Sequence, residues 1–204
     1  MLKEVLPGSY MLVSFWFDDG IQYVNRQEIA VGNADVEGVA VTVAPGMNIG
    51  GRIVRDGQPG IEKDEVRVIL QSVDIAFGFG RGGDVIRDNI ITMKGIGEGT
   101  YRAEVNGMSK DCYIKDVRYG QSSVLKEGFT LTRGEPSALE ILISSRGARV
   151  EGTVRDADGL PLPGVPVVLI PELSRRENYQ LYKSQSTDQC GHFDLRGIAP
   201  GDYV

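Results

Sequence analysis

The chain has 204 residues, more than one globular domain of roughly 100–150 residues requires. Hydrophobic residues make up 41% and charged residues 25%, a balance that builds cores and excludes wholesale disorder. The net charge is −6 and no basic stretch stands out, which disfavours nucleic-acid binding.

From the start, Met1 to Trp16 does not read as an export signal, because Glu4 and Pro7-Gly8 interrupt any apolar core. No apolar run approaches the roughly 20 residues of a membrane-spanning helix, so no transmembrane segment is expected. Asp19-Gly20 signals a tight turn, as do Asp56-Gly57, Asp158-Gly159 and Pro163-Gly164 further on. Between such turns the segments alternate apolar and polar residues, and helical periodicity is nearly absent. Gly46 to Val54 alternates, then Val66, Val68 and Leu70, then Ile91 to Ile96. Each predicts a short strand with one buried face. The 27 glycines are scattered at turn-like positions rather than in triplets, which argues against collagen.

The alternating set then recurs. Ile49, Gly51 and Ile53 map onto Val150, Gly152 and Val154, an offset of 150 − 49 = 101. Val66, Val68 and Leu70 correspond to Val165, Val167 and Leu169. Ile91 to Ile96 corresponds to Phe193 to Ile198, with Asn89 where Gly191 stands. Gly99-Thr-Tyr101 matches Gly201-Asp-Tyr203, an offset of 203 − 101 = 102, and appears again as Gly8-Ser-Tyr10. Tyr23-Val24 and Glu37-Gly38 match Tyr113-Ile114 and Glu127-Gly128. A unit of about 100 residues suits one β-sandwich and is too long for a solenoid repeat. The expected organisation is residues 1–45 as the C-terminal part of one unit, 46–145 as a complete unit and 146–204 as the N-terminal part of a third. Both ends of the chain read as cut. The tyrosine after Gly-x is expected to fill a core edge while its hydroxyl bonds a backbone group.

The last unit resembles the carboxypeptidase regulatory-like domain, a transthyretin-like (prealbumin-like) β-sandwich. The resemblance rests on Gly152, Val154, Asp156, Gly159, Pro161, Gly164, Val165 and Val167. It continues through Thr187, Asp188, Gly191 and Phe193, then Pro200, Gly201 and Tyr203. The middle unit keeps the frame less strictly, with Glu98 in place of the proline. The whole is similar to multi-repeat proteins of acidobacteria. The resemblance implies tandem Greek-key sandwiches in an exported, extracytoplasmic bacterial protein. In zinc carboxypeptidases this domain is an accessory. The catalytic domain there needs His-x-x-Glu and a second histidine, and this chain holds only His192.

Each candidate site has a plainer reading. Gly78, Gly80 and Gly83 satisfy GxGxxG, but no helix is expected to follow, so an inter-strand loop is the expectation. His192 alternates with Phe193 and Leu195 and is expected to face solvent. Asp156 and Asp158 hint at a calcium loop, but Val167 stands where its bidentate glutamate belongs, leaving a hairpin turn. Cys112 and Cys190 fall in different units and are not expected to bridge. Phe77, Phe79, Arg175, Arg176, Tyr179 and Tyr182 lie in corresponding loops. Of these, Phe79, Arg175, Arg176 and Tyr179 are the candidate ligand-binding residues, able to stack on a sugar or anchor a protein. The opening strand of the third unit has no lysine for an isopeptide staple.

The expected protein is therefore all-β, a run of tandem sandwiches without catalytic residues, cofactor or metal. Its expected role is structural or interaction scaffolding. The alternatives are a carbohydrate-binding module and an accessory domain of a hydrolase whose catalytic domain lies elsewhere. The partner is open, a glycan or another envelope protein.

Overall fold

The computed structural model describes residues 4–19, 21–57, 66–73, 81–85 and 88–204, with backbone alone for Gln22 and for 81–85. The protein is all-β. Its helical turns among the described residues are two short 3-10 segments, Leu173–Arg175 and Tyr179–Leu181.

The first segment holds β1 (Gly8–Asp18), β2 (Ile21–Val31) and β3 (Ala44–Pro45), in sheet order β1-β2-β3. β1 and β2 pair along their whole length, from Gly8↔Val31 to Asp18↔Ile21, around a two-residue turn. Asp19 takes a φ of 43° there, the left-handed conformation that such a turn needs and that aspartate tolerates.

The middle segment holds β4 (Met47–Asp56), β5 (Arg67–Ser72), β6 (Arg81–Val85), β7 (Ile90–Ile96), β8 (Gly99–Asn106), β9 (Tyr113–Tyr119), β10 (Ser122–Ser123), β11 (Phe129–Leu131) and β12 (Leu139–Ser144). They form a five-stranded sheet, β10-β9-β12-β4-β7, and a four-stranded sheet, β11-β8-β5-β6. β12 runs parallel to β4 and antiparallel to β9. One buried cluster draws on both sheets. Ile49, Ile53, Ile91, Met93, Leu139, Ile141 and Ile143 come from the first, and Val68, Leu70, Tyr101, Val105, Phe129 and Leu131 from the second. Each such side chain contributes about 1.5–3 kcal/mol by leaving water. Tyr119 of β9 stacks on Phe129 of β11, with ring centroids 4.5 Å apart, and ties the two sheets at one edge.

The last segment holds β13 (Ala148–Thr153), β14 (Pro166–Leu169), β15 (Lys183–Ser186) and β16 (His192–Ile198), paired as β13-β16 and β14-β15. Its registers repeat those of the middle segment. Ile49 faces Met93, as Val150 faces Leu195. Gly51 faces Ile91, as Gly152 faces Phe193. Both pairings break at the same place, between Met47 and Ile49 and between Ala148 and Val150. Beyond the ladder, the Ile53 amide donates to Asn89 O and the Val154 amide to Gly191 O. Asn89 (φ 61°) and Gly191 (φ 73°) both adopt the left-handed conformation, which asparagine and glycine tolerate best.

β1 and β2 pair with each other, whereas β8 and β9, which match them in sequence, lie in different sheets. The tight turn after Asp18 returns the chain at once, while residues 107–112 let it cross between sheets. Arg81, Gly82 and Gly83 are not loop but strand, antiparallel to β5, with Gly82 opposite Ile69; Gly78 to Gly80 lie outside the described residues. His192 is half-buried. Its amide is tied to Asp188 Oδ1 (2.8 Å), and Thr153 lies across the ladder.

Candidate functional site

The motif residues of the last segment are committed to turns. Asp156 Oδ1 accepts from the amides of Asp158 (3.0 Å) and Leu160 (2.8 Å), and its amide donates to Leu160 O. This closes a hairpin turn through Gly159, beside the Arg155↔Pro161 bridge. A carboxylate already accepting two amides is a turn-former, as in Asx-turns. Asp188 Oδ1 likewise accepts from Cys190 (2.8 Å) and His192 (2.8 Å), and these bonds hold its carboxyl below the usual range. Thr187, buried, donates to Leu162 O (2.7 Å) and accepts from the Val165 amide (2.9 Å), pinning the Gly164 turn to the end of β15.

Thr187→Val removes the hydroxyl and leaves that amide and carbonyl without their partner. The expected cost is about 1–3 kcal/mol, read as a lower urea midpoint.

The three tyrosines share one geometry. Tyr10 Oη donates to Leu6 O (2.8 Å), Tyr101 Oη to Gly97 O (2.9 Å) and Tyr203 Oη to Ala199 O (2.9 Å), four residues upstream each time. Of the three, Tyr101 is buried in the cluster, Tyr203 is half-buried and Tyr10 is exposed. The preceding glycines differ: Gly99 (φ 148°) and Gly201 (φ 144°) need positive φ, and Gly8 does not.

Among the described residues a groove lies between the middle and last segments. Its volume is about 400 Å³, with Ile114, Leu125 and Leu181 forming apolar walls and Lys115, Lys126 and Arg175 at its rim. Lys115 already pairs with Asp56 (2.9 Å) and lowers its carboxyl. Arg102 with Glu177 (2.6 Å) and Gln180 Nε2 on Val105 O (3.2 Å) hold the last segment's loop to β8.

The candidate binding loop stands beside this groove. Arg175 donates to Pro200 O (3.0 Å) and lies 5.7 Å from the Tyr203 ring centroid. Burial pushes the Tyr203 phenol up, and Arg175 opposes the shift. Arg176 Nε donates to Pro171 O (3.1 Å). Arg176 thus holds the loop's own backbone, and Arg175 ties the loop to the turn after β16. Tyr179 is 77% exposed, and its ring lies 6.3 Å from that of Tyr182 at 32°. Tyr182 Oη donates to Arg176 O, and Asn178 caps the 3-10 turn by accepting from the Gln180 amide. Phe77 and Phe79 lie outside the described residues, so their relation to Tyr179 is not described.

No family model, curated protein or solved structure matches this chain. Among the described residues no group of three or more His, Cys, Asp or Glu side chains is placed to hold a metal, and no helix is long and apolar enough to cross a membrane. Cys112 is buried and Cys190 exposed, both as free thiols.

Two features carry no sequence signature. Arg149 and Arg196 close on Asp194, and Arg149 also reaches Glu151. Hydrogen bonding from Arg149 holds the Asp194 carboxyl down to about 2. A carboxyl lowered on folding favours the folded state above its unfolded value of 3.8, and that advantage disappears as pH falls through about 2. The stability gap between the wild type and Asp194→Asn is therefore expected to be full at neutral pH and to close between 3.8 and about 2, with salt narrowing it throughout. The second feature is the groove itself, whose walls come from separate segments. By contrast, the exposed Phe15, Trp16 and Phe17 of β1, with Trp16 4.9 Å from Tyr23, stand in plain view in the sequence.

Proposed function

We propose that this chain is a non-catalytic structural and interaction scaffold, a run of transthyretin-like, carboxypeptidase regulatory-like Greek-key sandwiches from an exported bacterial protein. The observation that carries the reading is the recurrence of one frame. The same ladder register with the same bulge appears in two segments, and the same tyrosine-to-carbonyl bond in three. A second support is what the polar residues do. Asp156, Thr187, Asp188, Arg175 and Arg176 hold backbone. Sandwich units of this kind bury a core each and present loops at their ends.

The test is turnover. The intact chain incubated with peptide, ester and glycoside substrates is expected to give rates equal to buffer. Turnover that His192→Ala abolishes overturns the reading in favour of an enzyme.

A second reading, carbohydrate binding, is favoured by Tyr179, whose exposed ring beside Tyr182 offers a face to a pyranose. Calorimetric titration with starch-derived oligosaccharides decides it. Heat that disappears in Tyr179→Ala supports the reading, and no heat in the wild type removes it.

A further inference from the structure

The join between segments is built twice in the same way. Ala44 and Pro45 of β3 pair with Val24 and Tyr23 of β2, as Ile143 and Ser144 of β12 pair with Ile114 and Tyr113 of β9. From that pair the chain enters the next segment almost at once, through Gly46 into β4 and through residues 145–147 into β13. The second connection is pinned as well. The Ser145 amide donates to Asp56 O (2.9 Å), the Arg146 amide to Ser144 Oγ (3.2 Å), and the Arg146 guanidinium lies 3.2 Å from the Asp56 carboxylate. A connection this short and this well bonded has none of the slack of a flexible linker.

The faces on either side of each join also meet. At the first, β2 packs against β7; a Cβ at Gly97 would overlap Val24, and one at Gly99 the Arg26 guanidinium. At the second, Ile114 stands where Val24 does and Ala199 where Gly97 does; both are buried and line the same groove. Beside them the turn 109–112, closed by the Cys112 amide on Ser109 O (2.9 Å), lies directly on backbone of the last segment. A Cβ at Gly197 would overlap the Lys110 and Cys112 carbonyls, and one at Gly147 the Asp111 carbonyl. Arg196 reaches Asp111 (3.6 Å), and Arg102 with Glu177 and Gln180 with Val105 O hold the loop after β14 to β8.

We propose that this recurring join locks successive segments into one stiff rod, so that the chain holds them at a fixed spacing and angle rather than as beads on a string. Domains joined by a linker move against each other by default, because few contacts cross between them. Here contacts cross at separate places, and one of them is backbone on backbone. Gly197 (φ 63°) meets carbonyls there, not flexible side chains, so close packing leaves neither side room to give. The inference deepens the scaffold reading, on which it rests: stiff joins transmit orientation, whereas loose ones only limit reach.

Pulsed electron-spin distance measurement on the full chain tests it. One nitroxide goes on Cys190, which is exposed, and one on Ser122→Cys, also exposed; Cys112 is buried and takes none. A single narrow peak is expected between the middle and last segments. With Cys190→Ser, labels on Glu28→Cys and Ser122→Cys are expected to give an equally narrow peak across the first join. Gly197→Ala drives a methyl into the carbonyls of the turn 109–112 and is expected to replace the Ser122–Cys190 peak by a broad spread. Should that variant fail to fold, Asp111→Lys combined with Glu177→Lys serves instead. Both side chains are exposed, so the cores are untouched, and two attractions become repulsions facing Arg196 and Arg102. The peak is expected to widen, most at low salt. A broad or two-peaked distribution without these changes, or a peak that stays narrow in every folded variant, overturns the proposal. That result leaves the scaffold reading standing, whereas turnover would sink the scaffold reading without moving the peak.

Discussion

Ile141→Ala is expected to destabilise the middle segment by about 2–5 kcal/mol. Ile141 is fully buried and sits on β12, the central strand of the five, between Ile53 of β4 and Val117 of β9. Truncation removes apolar area and leaves a cavity that two flanking strands hold open, so the site collapses poorly. Against a domain stability of about 5–15 kcal/mol this is a large fraction. Urea denaturation checks it: the midpoint falls while the slope stays unchanged. Val150→Ala is the control. Val150 occupies the position of Ile49 in the recurring frame but is 41% exposed, so its loss is expected within about 0.5 kcal/mol. Equal effects at the two sites would mean that the buried cluster is not where stability resides.

Gly51→Val is expected to do comparable damage by the opposite route. A Cβ at position 51 would overlap the Leu139 carbonyl, so β12 must move away from β4. Overpacking of this kind costs about 1–3 kcal/mol or more, and here the obstruction is backbone and cannot swing aside. The shift also pulls Glu140 from Arg52, a pair 2.6 Å apart. Amide exchange reads it directly, with protection lost across β12. Gly50→Ala provides the comparison. Nothing lies within 4 Å of a Cβ there and its φ is not positive, so an unchanged or slightly raised melting temperature is expected. Loss of β12 protection in Gly50→Ala would show that the strand responds to any added methyl, not to this one contact.

Much of the architecture can be read before any coordinates. Alternation predicts β4, β5, β7, β13 and β16, because a strand facing a core on one side must place apolar residues two apart. Recurrence locates Gly191 and Asn89 as one position, and both take the same backbone conformation. The tyrosine after Gly-x is legible as a corner, and all three such tyrosines bond the carbonyl four residues back. Of the candidate binding residues less is legible. Arg175 and Arg176 read as available cations, yet they hold carbonyls of Pro200 and Pro171, and among the described candidates Tyr179 alone stands clear. A side chain's partner, unlike its periodicity, depends on segments far along the chain.

Sequence alone therefore determined the strand class, the recurring frame and the turn chemistry, since each is set by residues within a few positions of one another. Tertiary structure decided which strands became neighbours. β12 lies parallel against β4 although the two are far apart in the chain, and β1 folds back on β2 where β8 and β9 part. Alternation states that a face is buried but not what buries it. That choice follows from connection length, from the close approach that Gly51 permits, and from which apolar faces meet first.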